Sequence, residues 1–192
     1  MKIRILTTAL LALSLALTAC TYDGGVEQGR AVAFTTGQSL TMVLDTGKER
    51  GKPMYNGKVA TYKVPSAAND MGTEPVLGGL LAVNPDKKTV TVYDGAAIKE
   101  LPVEFTDVQK DIGARHPLVA GKSFPMVDKE KQTVTVYAPT IRSLVTFKPG
   151  AAISMKDSTW KFGDEMRVAY RNADKGQAIR IMNVSQTNIF RR

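Results

Sequence analysis

Short runs of β-branched and aromatic residues recur along the chain after residue 30, and Gly, Pro, Asn or Asp commonly lies between them. Within many runs apolar and polar residues alternate, as they do along a half-buried β-strand. After residue 20, no stretch repeats apolar residues at helical spacing over three turns. The pattern predicts an all-β protein of short antiparallel strands, with strands at residues 31–34, 40–44, 58–64, 89–93, 103–105, 133–137, 144–147, 166–171 and 178–184.

Two irregular stretches divide this pattern. Residues 66–79 are rich in Ala, Asn, Gly and Pro, and residues 111–125 also lack a strand pattern, so both are predicted to be long loops. The second stretch predicts a boundary near residues 115–125. We therefore expect two β-rich halves, residues 31–120 and residues 121–192.

One segment of the chain is echoed later in the sequence. Residues 86–93 and 130–137 each begin with a charged turn and continue as Thr-Val-Thr-Val-Tyr, at an offset of 44 residues. Alternation places the valines on one face of each strand and the threonines on the other. The echo predicts a repeated β-hairpin. Chance is the alternative, because Thr-Val-Thr-Val is common in exposed strands.

The N-terminus has the pattern of a secretory signal. Lys2 and Arg4 precede an apolar run at residues 9–17, which is too short for a permanent membrane helix of about 20 apolar residues. Leu17-Thr18-Ala19-Cys20 then resembles the lipobox of bacterial lipoproteins. That resemblance implies removal of residues 1–19 as a signal peptide and lipidation of Cys20. Ordinary secretion, with Cys20 left as a free thiol, is the alternative.

The lipobox resemblance also implies a location. Several acyl chains on Cys20 anchor a protein firmly, whereas one chain holds only marginally. Thr21 stands where an aspartate tends to retain lipoproteins in the inner membrane, so we expect the outer membrane, with the folded part facing the periplasm. Residues 20–30, polar and rich in glycine, are predicted to be a tether.

Composition excludes several classes of function. The chain carries 26 basic and 18 acidic residues, but only one cysteine, one histidine and 7% aromatic residues. No disulfide within one chain and no multi-Cys/His zinc site can form. His116 precedes Pro117, no Gly-x-Ser-x-Gly turn accompanies it, and we expect a turn there rather than a catalytic base. We therefore expect no enzyme activity and no cofactor, and location and sparse aromatics argue against nucleic acid.

The C-terminal third concentrates basic residues on predicted strands. Alternation places Met166, Val168 and Tyr170 on one face with Ile179 and Ile181 of the next strand. The other face then carries the candidate ligand-binding residues Arg167, Arg171 and Arg180. They are suited to an anionic envelope glycan or lipid phosphate. The alternative is a solvated face that keeps an edge-rich β-protein soluble.

The same region resembles a known architecture. Two strands, the residues around Gly163-Asp164, and two strands joined by a Lys-Gly turn are similar to small OB-like β-barrels of exported bacterial proteins, over residues 129–187. The resemblance implies that residues 121–192 form an OB-like barrel. The whole chain also resembles lipoproteins of uncharacterised families.

Methionines raise a further alternative. Met126, Met155, Met166 and Met182 lie in the C-terminal part with Trp160, and thioethers select Cu(I). Their spacing matches no copper motif, so core packing is the preferred interpretation and no metal site is expected.

The sequence thus predicts a lipid-anchored, periplasm-facing envelope protein without catalytic activity. Its principal expected role is structural, or docking of an envelope protein partner through a β-edge or the basic face. Binding of an anionic glycan or lipid phosphate through the basic face is the alternative.

Overall fold

The computed structural model describes residues 23–49, 52–150 and 157–187, which form an all-β protein. The class predicted from the alternating pattern, short and mostly antiparallel strands, is confirmed. Short helical turns at Ala68–Asp70, Pro139–Ile141 and Asp157–Trp160 interrupt the strands. The strands are β1 (Gly24–Thr35), β2 (Ser39–Leu44), β3 (Val59–Lys63), β4 (Leu80–Asn84), β5 (Thr89–Tyr93), β6 (Ile98–Pro102), β7 (Glu104–Gln109), β8 (Met126–Asp128), β9 (Thr133–Ala138), β10 (Ser143–Lys148), β11 (Glu165–Arg171) and β12 (Asp174–Asn183).

Five strands close a small barrel in the order β1-β2-β3-β12-β11, with β11 pairing back onto β1. β1 pairs with β11 along its first part and with β2 along its second. β3 and β12 meet in parallel at Lys63 and Gln177, and the other neighbours are antiparallel. A closed five-stranded barrel of this order has the topology of an OB-like barrel.

The barrel takes its strands from both ends of the chain. β1 to β3 end at Lys63, and β11 begins at Glu165, so the barrel does not lie within residues 121–192. The halves expected at residues 31–120 and 121–192 are corrected accordingly. The physical reason is burial: the β11–β12 hairpin alone cannot cover a hydrophobic face, and it does so by pairing with β1 and β3.

The predicted tether is largely strand. β1 begins at Gly24, so residues 24–30 belong to the barrel, and the expectation of a flexible tether over residues 20–30 is wrong for that part. The glycines serve close packing rather than flexibility. A Cβ on Gly29 would lie 2.2 Å from the carbonyl oxygen of Val43, and one on Gly25 would lie 2.5 Å from the hydroxyl of Tyr170.

The chain between β3 and β11 holds a second structure, a small β-sandwich. Its sheets have the orders β4-β5-β6 and β7-β10-β9-β8. Their facing sides share one core, in which Trp160 packs edge-on against Phe147 with ring centroids 5.4 Å apart. Val103 is buried between β6 and β7, where the chain passes from one sheet to the other.

The sequence echo corresponds to two hairpins of the same geometry. In β4–β5, Val83 lies opposite Val90, and in β8–β9, Val127 lies opposite Val134, which is the same register at the offset of 44. Both turns contain a non-glycine residue with positive φ, Lys88 at 55° and Gln132 at 51°. The predicted repetition of a hairpin is therefore present in the structure, one copy in each sheet of the sandwich.

The boundary between barrel and sandwich lies at Gly163 and Asp164 rather than at residues 115–125. A Cβ on Gly163 would lie 2.1 Å from the carbonyl oxygen of Ala31, so glycine allows the sandwich exit to approach β1. The Asp164 carboxylate accepts hydrogen bonds from the backbone of Val76 and the side chain of Asn183 at 2.9 and 2.8 Å. The Gly-Asp pair therefore joins the two regions.

Candidate functional site

The three predicted arginines lie on the outside of the barrel, and all three are exposed. Arg167 and Arg171 lie on β11, and Arg180 on β12 lies opposite Ala169, between them. The Arg167 guanidinium donates to Gln28 Oε1, at 2.8 Å from Nη2 and 3.2 Å from Nε. The structure thus brings the three side chains to one convex face. We call Arg167, Arg171 and Arg180 the basic face.

The prediction that Met166, Val168 and Tyr170 share one face with Ile179 and Ile181 is mostly confirmed. Met166, Val168 and Ile181 are fully buried in the barrel core. Ile179 is only half-buried, because a β-bulge places Ala178, not Ile179, opposite Tyr170.

The other sequence candidates are dispersed. His116 lies in a turn, where its Nδ1 accepts a hydrogen bond from the Leu118 amide at 3.2 Å. Met166 lies inside the barrel, whereas Met126 lies at the edge of the sandwich and is 51% exposed, so they do not meet. Cys20 and Met155 lie outside the described residues. The described part of the chain contains no group of three or more His, Cys, Asp or Glu that could hold a metal ion.

A cleft of about 740 Å³ lies between the barrel and the sandwich. Its volume falls in the range of ligand sites, about 300–1,000 Å³. β1 contributes Arg30, the segment after β2 contributes Pro53 to Tyr55, and the entire second half of β4 lies along it. We call this the seam cleft. Its apolar lining consists of Pro53, Met54, Leu81, Ala82, Val83, Pro85, Ala138, Ile141 and Phe162.

Arg30 is the buried charge of the seam cleft, with only 5% of its surface exposed. Its Nη1 donates to the carbonyl oxygen of Gly163 at 2.9 Å, and its guanidinium lies 5.0 Å from the ring centroid of Phe162. Its Nε has no hydrogen-bond partner among the described residues. The ion pairs found in that part of the chain do not include Arg30. A buried cation with unused hydrogen-bonding capacity favours an anion beside it.

Tyr55 lies next to this guanidinium. Burial raises the pKa of the Tyr55 hydroxyl above its usual value of 10.0, while the charge of Arg30 and a hydrogen bond with it lower the pKa. Asp45 and Glu165 lie close enough to raise it further. Glu165 is opposite Arg30 in the barrel, but its carboxylate accepts a hydrogen bond from Gln28. The hydroxyl of Tyr55 therefore stays protonated at neutral pH and is able to donate a hydrogen bond.

β4 presents an edge to the seam cleft. One side of β4 pairs with β5. On its other side the Leu80 amide donates to the carbonyl oxygen of Lys161 at 3.0 Å, and no further backbone partner beyond Leu80 is found within the described ranges. Residues 81–84 thus expose backbone groups to the cleft, and an unpaired edge of this kind is a template for an added strand.

A second concave surface lies on the outside of the other sheet. It is a shallow groove in which Thr135 and Thr146 share a hydrogen bond of 2.9 Å between their hydroxyls. Lys131 and Lys148 lie at its rim, each near a carboxylate of Asp128 or Glu104. Since none of the charged residues that line it is buried, the groove offers less than the seam cleft for holding a ligand.

Sequence reasoning missed both parts of the seam cleft. Arg30 falls within the predicted tether, and β4 lacks alternation because Leu80 and Leu81 are both buried. One signal was present: Arg30 directly precedes a run of small apolar residues, Ala31 to Ala33, which is the environment in which a charge becomes buried.

Residues 22–192 match the family described as a domain of unknown function (DUF4881). The chain belongs to this family. The match covers both the barrel and the sandwich, so the two regions together make up the family's domain. No curated protein and no solved structure matches the chain. Among the described residues, none forms a helix with the length and apolar character needed to cross a bilayer.

Proposed function

We propose that this chain is a lipid-anchored, periplasm-facing protein of the outer membrane that acts as a non-catalytic docking module for an envelope protein. Cys20 is its attachment point. The observation that carries the docking role is the unpaired edge of β4 along the seam cleft, since main-chain pairing to a free edge is a recurrent mode of protein recognition.

The position of β1 supports the anchor. The family match begins at residue 22 and β1 at Gly24, immediately after the candidate lipidation site. Two residues lie between Cys20 and Asp23, and the three steps from one Cα to the other reach at most about 11 Å. Asn172, in the turn after β11, hydrogen-bonds to the Asp23 carboxylate at 2.6 Å. A lipid on Cys20 would hold this end of the barrel close to the bilayer surface.

The anchor is tested by labelling and fractionation. We expect wild-type protein to incorporate labelled palmitate and to sediment with outer membranes, and Cys20→Ala to do neither. Ser14→Ala, within the apolar run, is the matched control and should behave as wild type. Equal membrane retention of Cys20→Ala, or a wild type without label, would contradict the anchor.

Docking at the β4 edge is tested by site-specific photo-crosslinking in native envelopes. A photoreactive residue replaces Ala82, which lines the seam cleft, or Met126, its counterpart in the repeated hairpin. We expect one discrete protein adduct from position 82 that persists at high salt, and none from position 126. Equal adducts from both positions, or none from position 82, would overturn docking at this edge.

The basic face supports a second candidate function, binding of an anionic glycan or lipid phosphate. The basic face lies on the same barrel surface as the start of β1. Val26 of β1, which is 57% exposed, pairs with Ala169 of β11, and Ala169 pairs on its other side with Arg180 of β12. The three arginines thus lie on the strands beside the proposed anchor. Each basic residue near an anionic membrane surface contributes about 1 kcal/mol of attraction.

This second function is separated from docking by charge reversal in the unlipidated Cys20→Ala protein. Arg167→Glu, Arg171→Glu and Arg180→Glu together should abolish sedimentation with anionic phospholipid vesicles at low salt. Lys87→Glu, Lys129→Glu and Lys131→Glu make the same charge change on the hairpin turns and should reduce it far less. If both triple variants lose sedimentation equally, the attraction comes from net charge and not from the basic face.

A further inference from the structure

From the seam cleft we infer that the docked partner presents a free carboxyl terminus, whose carboxylate binds at Arg30 while the preceding residues pair with the edge of β4. This rests on the proposed docking function and names the chemistry of the docked segment. Three features carry it: a buried guanidinium, an unpaired strand edge, and an apolar wall that joins them.

Arg30 carries a charge that is almost fully removed from water. Removing a guanidinium from water is costly unless an anion or several hydrogen bonds replace the water. The Gly163 carbonyl, the Phe162 ring and the Tyr55 hydroxyl supply part of this, and the Nε remains without a partner among the described residues. A guanidinium binds a carboxylate or a phosphate with paired hydrogen bonds, and of these the carboxylate is the one that ends a peptide able to pair with β4. Tyr55 also lines the cleft beside Arg30.

The geometry fixes the direction of the bound segment. Phe162 bridges to Leu80, the first residue of β4, and the Arg30 guanidinium lies over the Phe162 ring. The charge is therefore at the Leu80 end of the strand. A peptide whose carboxyl terminus lies there runs antiparallel to β4. Its preceding residues lie along residues 81–84, with the earliest of them nearest Pro85.

The lining of the seam cleft indicates which peptide residues fit before the carboxyl terminus. Met54, Leu81 and Ile141 belong to the apolar lining of the cleft, while Lys87, Lys110 and Asp111 belong to its charged lining. A strand places alternate side chains on opposite faces. An extended segment with apolar residues at alternate positions therefore matches this wall, and its other face can remain polar.

The test compares a short alternating peptide, acetyl-Thr-Val-Thr-Val, with its carboxamide, each bound to the unlipidated Cys20→Ala protein. Hydrogen bonds to a charged group contribute about 1.5–3 kcal/mol. We expect the free acid to bind roughly 10- to 100-fold more tightly than the amide, which is that energy expressed as a ratio. Equal affinities would overturn the inference.

Two variants test whether the preference for the acid over the amide comes from Arg30. Arg30→Gln should make acid and amide bind equally, and Arg115→Gln, at an exposed turn residue outside the cleft lining, should leave their ratio unchanged. Because the readout is a ratio of two affinities, it does not depend on the fraction of Arg30→Gln that folds. Should that variant not fold at all, Tyr55→Phe replaces it, with a smaller reduction of the ratio expected. An unchanged ratio in the variant used would overturn the inference.

Two further measurements separate a peptide carboxylate from a small-molecule carboxylate, and the docking function from the binding of a carboxylate. Decanoate that binds more tightly than the peptide acid would mean that the cleft serves a small apolar carboxylate, which overturns the peptide inference. If position 82 still crosslinks in envelopes while acid and amide bind equally, docking stands and only the carboxylate inference falls. Loss of the position 82 adduct alone would remove the docking function instead.

Discussion

The barrel and the sandwich both cover a hydrophobic core with short strands, but they differ in how far apart in sequence the paired strands lie. In the sandwich, strands pair mostly with their neighbours in sequence, as in β4-β5-β6 and β8-β9-β10. In the barrel, Gly24 pairs with Arg171 across nearly the whole described chain. The sandwich is thus assembled from local hairpins, whereas the barrel exists only when both ends of the chain meet.

The difference has a consequence for stability. The two parts of the barrel pair directly, β1 with β11 and β3 with β12, and the whole sandwich lies between them in the chain. Backbone hydrogen bonds also hold the segments that lead into and out of the sandwich, from the Ala31 amide to the carbonyl oxygen of Asp164 at 2.9 Å and from the Asp164 amide to that of Val76 at 2.8 Å. We therefore expect the two regions to unfold together.

Met166→Ala tests this coupling and has the largest expected effect. Met166 is fully buried in the barrel core, so its truncation should cost about 2–5 kcal/mol of unfolding free energy. Trp160, the only tryptophan, lies in the sandwich core and reports on that region. Denaturant midpoints from tryptophan fluorescence and from circular dichroism should shift equally.

The control is Met126→Ala, because Met126 is 51% exposed and its loss should change stability by less than about 0.5 kcal/mol. A fluorescence midpoint that stays at the wild-type value in Met166→Ala, while circular dichroism shifts, would show that the sandwich folds independently.

Gly29→Ala probes the barrel closure itself. Its new Cβ would meet the backbone of Val43, so we expect a loss of about 1–3 kcal/mol. Gly37→Ala in the β1–β2 turn is the comparison: it meets no atom within 4 Å, and its φ of 69° costs about 1 kcal/mol. Thermal denaturation of both variants measures the difference. A neutral Gly29→Ala would mean that residues 24–30 act as a tether after all.

The two copies of the hairpin permit a matched test within the sandwich. Lys88→Gly and Gln132→Gly each replace a side chain in the left-handed region with glycine, which should raise stability by up to about 1 kcal/mol. Both should do so to a similar extent, as measured by urea denaturation. A gain in one copy and a loss in the other would indicate that the turns are not equivalent.

The smallest expected effect is a change in alkaline stability. Burial raises the pKa of Tyr55, beside the barrel, and of Tyr137, in the sandwich. A raised pKa means that the folded state holds its proton more firmly, so stability is complete below about pH 10 and falls as pH rises through the raised pKa. Tyr55→Phe and Tyr137→Phe should each flatten this fall in pH-dependent denaturation. An unchanged slope in Tyr55→Phe would contradict its placement beside the seam cleft.

Sequence pattern located strands well where they alternate and are flanked by turns. β5 and β9, with Thr-Val-Thr-Val, were predicted closely, and their repetition was visible before the structure. β4, β6 and β8 were not predicted: β4 buries consecutive leucines, β6 has two adjacent charged residues and ends in proline, and β8 has only three residues. The alternation of apolar and polar residues identifies a strand only when one face of that strand is buried and the other is exposed.

The candidate site was less accessible to prediction than the fold. Alternation correctly placed the arginines of the basic face outside the barrel, because exposure follows from strand period. The burial of Arg30 depends on which segments cover β1, namely Phe162 and Gly163 from the far end of the chain. A single sequence carries the period of a strand but not the identity of its partner, so a cleft between two distant segments leaves no local signal.

The order of strands around the barrel also sets an order in time. β1 precedes the sandwich in the chain, whereas its partner β11 and the closing strand β12 follow it. The sandwich hairpins pair within short stretches of chain, but barrel closure brings together strands that are far apart in sequence. β1 is therefore able to pair early with β2 along one part of its length, while the other part stays open until the chain after the sandwich arrives.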